Sequence, residues 1–182
     1  ADVLFTSGGT EANNLAIMGS LARRGHQRRL ITSSIEHSSV LGVFRRLELE
    51  GWDVQRIPVD SQGLIELPAL EAALQQPVTL VSIMAVNNEI GARQPLAEVV
   101  SLVKTRQPQA LLHIDAVQAP GKIDLDAARL GVDMVSLSAH KIHGPKGAGA
   151  LFVARKDMLH PLWEGGGQEG GLRSGTENVL GI

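Results

Sequence analysis

Short apolar runs alternate along this chain with segments whose apolar residues recur at helical spacing. Continuous or alternating apolar runs predict strands, whereas apolar residues at positions i, i+3, i+4 and i+7 predict helices. The predicted strands cover residues 30–33, 52–59, 78–86, 111–114, 134–138 and 148–154. The predicted helices cover residues 10–25, 38–50, 68–75, 95–103 and 125–130. This alternation is typical of an α/β domain, a mostly parallel sheet with helices on both faces.

The last predicted strand is expected to run against its neighbour. Only a short glycine-rich link separates 134–138 from 148–154, and a parallel crossover needs about a dozen residues or more. Because no linker or low-complexity segment divides the sequence, we expect one domain over residues 1–182. In the second helix, Gly51 is the expected end. Its expected buried stripe consists of Val40, Leu41, Phe44 and Leu47.

The composition narrows the class of protein. The chain has 182 residues, of which 43% are hydrophobic, and this is enough for one sizeable core. A net charge of −2 and a pI near 6.3 give no basic field for nucleic acid. No apolar run reaches the roughly 18 residues of a membrane span. We therefore expect no nucleic-acid partner and no membrane segment, and the cytoplasm is the expected compartment.

The cysteine count and the chain ends add two expectations. The chain contains no cysteine, which excludes disulfides, thiolate metal sites and a cysteine nucleophile within these residues. It begins at Ala1 without a methionine and stops at Ile182, where a new apolar segment starts. We expect this sequence to be a piece of a longer protein.

Polar residues follow four of the predicted strands. His37 follows the strand at 30–33, and Asn88 follows the strand at 78–86. Asp115 and the segment Ser138-Ala139-His140-Lys141 follow or end the next two strands. Because open α/β sheets bind ligands beyond the carboxyl ends of their strands, we expect these side chains to line one ligand site.

Lys141 and Asp115 together indicate the chemistry of that site. Lys141 lies at a strand end among hydroxyl, imidazole and glycine groups, which makes it a candidate amine nucleophile for a carbonyl group. Enzymes that use pyridoxal 5'-phosphate need such a lysine for the cofactor's aldehyde. They also need a carboxylate that keeps the pyridine nitrogen protonated, and Asp115 is the candidate. The alternative interpretation of Lys141 is a solvated loop lysine.

Candidate phosphate ligands lie at the start of the first helix and after the strand at 134–138. The segment Ser7-Gly8-Gly9-Thr10-Glu11 offers backbone N–H groups, the helix dipole and the Thr10 hydroxyl. The same residue types are favoured at any capped helix start. Ser138 and His140 are candidates for the same phosphate, with a turn as the alternative.

Two further side chains are candidate contacts to an aromatic cofactor. His37 can stack its ring and move protons, with a histidine in a helix cap as the alternative. Gln118 can donate to a phenolate oxygen, with a loop amide as the alternative. A different chemistry stays open, in which His140 and His143 bind zinc with a carboxylate and a third histidine, as in a metal-dependent hydrolase. The third histidine would be His37 or His113.

Six motifs, in this order, resemble those of one family. They are Ser7-Gly8-Gly9-Thr10-Glu11-Ala12-Asn13-Asn14, Glu36-His37, Val86-Asn87-Asn88-Glu89-Ile90-Gly91, Asp115-Ala116-Val117-Gln118, Ser138-Ala139-His140-Lys141-Ile142-His143-Gly144-Pro145-Lys146-Gly147 and Arg173-Ser174-Gly175-Thr176. Together they resemble the cysteine desulfurases of the NifS/IscS group, class V members of the aminotransferase fold. The resemblance implies the large, cofactor-binding domain of a PLP-dependent transferase of aminotransferase fold type I.

The resemblance also implies a role for each matching residue. Lys141 would bind the aldehyde of pyridoxal 5'-phosphate, and Asp115 would pair with the pyridinium nitrogen. His37 would stack on the ring. Gln118 would donate to the ring oxygen, and Asn88 would lie near that oxygen and the substrate. Lys141 and His37 are thus the implied catalytic residues.

The phosphate of the cofactor has its own implied ligands. They are Gly9, Thr10, Ser138 and His140. Thr176 would reach the phosphate of the neighbouring subunit, which implies a homodimer whose two sites are each incomplete without the partner.

The implied reaction converts L-cysteine to L-alanine. The sulfur would pass as a persulfide to a sulfur-acceptor or scaffold protein for iron–sulfur cluster assembly. The family's nucleophilic cysteine and its carboxylate-binding arginine would lie in a small domain beyond Ile182, and a further segment would precede Ala1. We therefore expect the chain as given to bind cofactor without desulfurating cysteine. A related class V lyase or aminotransferase is the alternative within the same chemistry.

Overall fold

Seven strands form one sheet in the computed structural model, which describes residues 2–22 and 28–182. The strands are β1 (Asp2–Thr6), β2 (Arg29–Ser33), β3 (Asp53–Ile57), β4 (Leu80–Met84), β5 (Leu111–Asp115), β6 (Met134–Ser138) and β7 (Gly149–Val153). The helices are α1 (Gly9–Leu21), α2 (Ser38–Leu49), α3 (Leu67–Ala73), α4 (Leu96–Arg106) and α5 (Ala127–Leu130). The predicted alternation of strands and helices is confirmed.

The strand order in the sheet is β1-β7-β6-β5-β4-β2-β3. Strands β6, β5, β4, β2 and β3 are parallel to their neighbours in this series. Strand β7 is antiparallel to both β6 and β1, which confirms the direction predicted from the short link after Ser138. Because β1 and β6 both run against β7, the carboxyl end of β1 lies at the same edge as those of the parallel strands.

Helices cover both faces of the sheet. Helices α1 and α2 bury Leu15, Ile17 and Phe44 on one face. Helices α3 and α4 bury Leu70 and Val99 on the other face. Each such side chain contributes about 1.5–3 kcal/mol when it is fully buried. Both faces of the central strands are therefore largely apolar, apart from a buried polar row of Ser82, His113 and Ser136 in the middle of β4, β5 and β6.

The structure differs from the predicted elements at three places. Strand β1 is not among the predicted strands, because only Leu4 and Thr6 of its five residues are buried and the apolar pattern is short. The buried stripe of α2 contains Val43, whereas Leu41 is half-buried. Helix α1 ends at Leu21 rather than in the region of Gly25, and Gly25 lies outside the described residues.

Gly51 follows α2 as predicted. Its φ of 87° lies in the left-handed region that glycine adopts at little cost. The chain can therefore turn directly from the end of α2 into β3.

Candidate active site

The residues predicted to bind a ligand gather at the carboxyl edge of the sheet. A cavity of about 450 Å³ opens at this edge. Its lining includes nine of the ten predicted site residues, which are Gly9, Thr10, His37, Asn88, Asp115, Gln118, Ser138, His140 and Lys141. The convergence follows from topology, since parallel strands carry the loops after their carboxyl ends to one place.

Asp115 ends β5 and lies at the floor of the cavity, with 4% of its surface exposed. Its Oδ1 accepts a hydrogen bond from the backbone N–H of Val117 at 3.0 Å. Its Oδ2 accepts from Asn13 Nδ2 at 2.8 Å. Burial raises the pKa of this carboxyl group, and the two hydrogen bonds oppose that rise. The result is a carboxylate that is held in a fixed orientation and largely removed from water.

His37 is the N-cap of α2 and also lines the cavity. Its Nδ1 accepts a hydrogen bond from the backbone N–H of Ser39 at 3.1 Å and lies 2.8 Å from Ser39 Oγ. The helix-cap interpretation of His37 is therefore confirmed. The cap also fixes the ring at the cavity wall, so the site interpretation stays a prediction that is compatible with it.

The start of α1 forms one wall of the cavity. No side chain of the described residues caps this helix of 13 residues, so its first N–H groups and its dipole are open to an anion. A Cβ atom at Gly9 would lie 2.6 Å from Val117 Cγ2, so only glycine fits there. Ser138 lies beside the start of α1, since a Cβ atom at Gly9 would be 3.5 Å from Ser138 Cβ. Its Oγ is 2.9 Å from His140 Nδ1.

Lys141 belongs to a short 3₁₀ helix, Ala139–Ile142, that follows β6. The helix ends at His143, whose φ of 65° turns the chain away. Lys141 is exposed on the cavity wall and takes part in none of the ion pairs within residues 2–22 and 28–182. Its amine is therefore accessible to a molecule in the cavity.

Gln118 and Asn88 contribute amide groups to the cavity wall. Lys122 Nζ donates to Gln118 Oε1 at 2.7 Å, which leaves the Gln118 amide nitrogen as the group that can donate into the cavity. Asn88 is exposed in the turn after β4.

Thr176 is the predicted site residue that does not line this cavity. It lines a separate depression of about 120 Å³ with Phe5 and Arg173. Thr176 therefore adds nothing to the cavity of its own chain, and its role toward a neighbouring subunit stays a prediction.

Three buried residues near the cavity were not among the predicted site residues. Asn13 and Ser39 connect Asp115 to His37 by hydrogen bonds. A signal for Asn13 exists in the sequence, since it follows Gly9 by one helical turn and lies on the same face of α1. The contact with Ser39 has no sequence signal, because it depends on how α1 and α2 pack.

Glu36 is the third of these residues and is 5% exposed. Its Oε1 accepts hydrogen bonds from Ser33 Oγ at 2.5 Å and from the backbone N–H of Met84 at 2.9 Å. Its Oε2 is buried without a hydrogen-bond partner in the described part of the chain. Burial raises the pKa of Glu36 to about 8, and the nearby charge of Asp115 adds to the rise. The sequence signal for Glu36 is its position next to His37 in the Glu36-His37 motif.

The zinc alternative finds no support in the geometry. Among the residues that the structure describes, no group of three or more histidine, aspartate or glutamate side chains is placed to hold a metal ion. His113 is fully buried, with Nδ1 2.8 Å from Ser82 Oγ and Nε2 2.9 Å from Ser136 Oγ. Burial lowers the pKa of His113 to about 3. Both ring nitrogens are occupied by serine hydroxyls, so His113 is not an available ligand.

A search of the described residues for a helix long and apolar enough to cross a membrane finds none.

Comparison with known proteins agrees with this geometry. The family described as aminotransferase class-V matches residues 1–182. A NifS/IcsS protein homolog of Lactobacillus delbrueckii subsp. bulgaricus is 51% identical over 183 residues, which cover 100% of this chain and 47% of that protein. Cysteine desulfurase of Homo sapiens is 48% identical over 179 residues, which cover 96% of this chain and 38% of that protein.

A solved structure has the same fold. The structure described as SspA in complex with cysteine superposes with a TM-score of 0.90 at 43% identity, covering 98% of this chain and 52% of that one. The chain thus spans about half the length of the proteins it matches, or less. The predicted fold class and the resemblance to the NifS/IscS group are confirmed. Since the family match extends over every residue of the sequence, the chain belongs to the aminotransferase class-V family.

Proposed function

We propose that the protein is a pyridoxal 5'-phosphate-dependent cysteine desulfurase and that residues 1–182 form its cofactor-binding large domain. The observation that carries the proposal is the presence of Asp115, Lys141 and the start of α1 in one cavity. The cofactor has a ring nitrogen, an aldehyde and a phosphate, and the cavity offers a carboxylate, an amine and a helix N-terminus for them. Relatives named cysteine desulfurase, and a neighbour solved with cysteine, support L-cysteine as the substrate.

The residues present fit this cofactor. Asp115 is a buried carboxylate whose hydrogen bonds fix its direction. The close packing of Gly9 against Val117 leaves a cradle of backbone N–H groups beside Thr10 and Ser138. When bound, the cofactor supplies an electron sink for the bond that breaks at the substrate's α-carbon.

The side chains would hold the cofactor in four ways. Asp115 would accept the hydrogen bond of the ring N–H and stabilise its positive charge. His37 would stack on the ring, and Gln118, with Asn88 nearby, would donate its amide hydrogen to the ring oxygen. Gly9, Thr10, Ser138 and His140 would bind the phosphate.

Lys141 performs the proton transfer. Its amine would hold the aldehyde of the cofactor. Once released from the aldehyde, Lys141 Nζ would accept the proton from the substrate's α-carbon. Lys141 is exposed on the cavity wall, so its amine can reach a molecule in the cavity.

The sulfur step needs a group that this chain lacks. No cysteine is present in the 182 residues, so the thiol that takes the substrate sulfur must come from outside them. We assign the substrate-carboxylate arginine to the same outside source. The protein is proposed to act in the cytoplasm as a homodimer, with Thr176 at the partner's phosphate. It would deliver sulfur to an acceptor or scaffold protein of iron–sulfur cluster assembly.

The test is a product assay on the full-length protein with pyridoxal 5'-phosphate and L-cysteine. We expect alanine and protein-bound persulfide in equal amounts. Pyruvate with free sulfide, or 3-mercaptopyruvate, in place of alanine and persulfide would instead assign the protein to a related class V lyase or aminotransferase. The 182-residue chain under the same conditions, without added thiol, is expected to form alanine no faster than free cofactor does.

A further inference from the structure

Asn13 lies between two functional side chains of the cavity. It is 1% exposed, and its Nδ2 is 2.8 Å from Asp115 Oδ2 and 2.8 Å from Ser39 Oγ. A side-chain amide carries two N–H hydrogens. Both hydrogens of Asn13 are therefore used, one on Asp115 and one on Ser39.

The orientation of the Asn13 amide follows from electrostatics. If the amide were turned over, Oδ1 would face the Asp115 carboxylate, and two acceptors would oppose each other. In the orientation that the structure adopts, Asn13 Oδ1 is buried without a hydrogen-bond partner in the described part of the chain. A buried polar atom without a partner is unfavourable. The fold tolerates this cost because the donor face of Asn13 meets Asp115.

The hydrogen bonds beyond Asn13 have a fixed direction. Ser39 Oγ accepts from Asn13, so the Ser39 hydroxyl hydrogen is free for His37 Nδ1 at 2.8 Å. The backbone N–H of Ser39 also donates to His37 Nδ1, at 3.1 Å. A nitrogen that accepts from two donors carries no hydrogen of its own. The neutral His37 ring therefore carries its hydrogen on Nε2.

We propose that Asn13 is a positioning residue that clamps Asp115 and, through Ser39, holds His37 in the Nε2–H tautomer. The ring then meets a molecule in the cavity as a hydrogen-bond donor at Nε2. The same amide links the orientation of Asp115 to the hydrogen position on His37. The role of this clamp in catalysis rests on the proposed function, because only a bound cofactor makes use of both groups.

The test is ¹⁵N NMR of the full-length protein without cofactor, labelled at histidine. His37 is assigned from the signal that disappears in His37→Gln. The spectra are recorded over a pH series, and the tautomer ratio is taken from spectra in which the His37 ring is neutral. We expect the wild-type His37 to carry its hydrogen on Nε2. In Asn13→Ala and in Ser39→Ala, the ratio of the Nε2–H to the Nδ1–H form should fall about fivefold, which corresponds to one hydrogen bond of about 1 kcal/mol.

The matched control is Asn14→Ala. Asn14 is the next residue of α1, and its Nδ2 donates to Thr10 O in the same helix. It does not line the cavity, so the tautomer ratio of His37 should stay at the wild-type value.

Three outcomes decide the proposal. A hydrogen on Nδ1 of wild-type His37 would overturn it, whether or not the variants fold. A wild-type tautomer ratio in both Asn13→Ala and Ser39→Ala would overturn it as well. If the expected ratios are found and the full-length protein does not bind pyridoxal 5'-phosphate, the clamp stands and the proposed function fails.

Discussion

Two buried polar regions lie on the same face of β5, and they differ in how completely their hydrogen bonds are satisfied. His113 bridges three strands, because serine hydroxyls of β4 and β6 occupy both of its ring nitrogens. Two residues further along, Asp115 lies beside Asn13 and Glu36. In that group, Asn13 Oδ1 and Glu36 Oε2 lack partners within the described residues.

The difference separates a structural role from a functional one. A fully satisfied buried network stabilises and specifies a fold, whereas a group with unpaired polar atoms needs another reason to be retained. The region around Asp115 opens into the cavity, and the His113 region does not. We infer that the His113 bridge fixes the register of β4, β5 and β6, so that Asp115 lies in a defined position at the strand ends.

The largest effect is expected at Lys141, which lines the cavity into which the Asp115 region opens. Lys141→Ala removes the amine that is proposed to bind the aldehyde and to accept the α-proton, so turnover of the full-length protein should fall by about 10³-fold or more. Borohydride reduction of the loaded protein, followed by peptide mapping, should find the pyridoxyl group on Lys141 in the wild type. A control is Lys156→Ala, because Lys156 pairs with Asp2 away from the cavity. An adduct on another lysine would contradict the assignment.

A substitution in the His113 region should lower stability rather than turnover. His113→Ala removes a buried ring and leaves the Ser82 and Ser136 hydroxyls without their partner. We expect the free energy of unfolding to fall by about 3 kcal/mol in urea denaturation. Turnover per folded molecule should stay within about threefold of wild type. Lys156→Ala, at an exposed residue away from the cavity, gives the stability baseline. A large loss of turnover with unchanged stability in His113→Ala would show that the two regions are one functional unit.

Asp115→Asn should lower turnover much more than stability, which is the opposite of the pattern expected for His113→Ala. The amide keeps the shape of the side chain but cannot hold the ring nitrogen protonated, so turnover should fall by about 10²-fold. Stability should fall by about 1 kcal/mol at most, because the variant removes a charge whose burial is unfavourable but loses one of the two hydrogen bonds from Asn13 and Val117. Steady-state kinetics and urea denaturation of the same preparation measure both quantities. Wild-type turnover would reduce Asp115 to a structural strand-end carboxylate.

Much of the fold is predictable from the sequence because periodicity is a local signal. The strands β2, β4, β5, β6 and β7 and the helices lie close to their predicted positions. Strand β1 is not predictable in this way, because it pairs with β7 about 150 residues later in the chain and has few buried residues. Local pattern does not report which distant segment completes a sheet.

The same limit applies to the candidate site. The positions of Asp115, His37 and Lys141 follow from strand ends, which the sequence shows directly. Asn13 contacts Asp115 across 102 residues, and Glu36 contacts the backbone of Met84 across 48. These contacts depend on the packing of α1 and on the adjacency of β2 and β4. The sequence pattern predicts neither the helix packing nor the strand order. Asn13 and Glu36, which lie beside Asp115, are therefore found only in the structure.

The smallest effect is expected from Glu36, as a change in the pH dependence of stability. The folded protein holds the Glu36 proton up to about pH 8, whereas the ordinary carboxyl pKa is 4.5. The folded state therefore binds more protons between these pH values. The contribution of Glu36 to the free energy of unfolding is fully present below pH 4.5 and is lost gradually as the pH rises toward 8.

The contribution of His113 to the free energy of unfolding changes with pH in the opposite direction. The pH dependence of stability therefore distinguishes the two regions. Because burial lowers its pKa from 6.5 to about 3, its contribution is present above pH 6.5 and is lost as the pH falls toward 3. Glu36→Gln keeps the oxygen that accepts from Ser33 and Met84 and cannot titrate. Urea denaturation from about pH 5 to about pH 8 should therefore show the variant gaining stability relative to wild type as the pH rises. A difference between the two proteins that stays constant over this range would show that Glu36 is already ionised in the folded state.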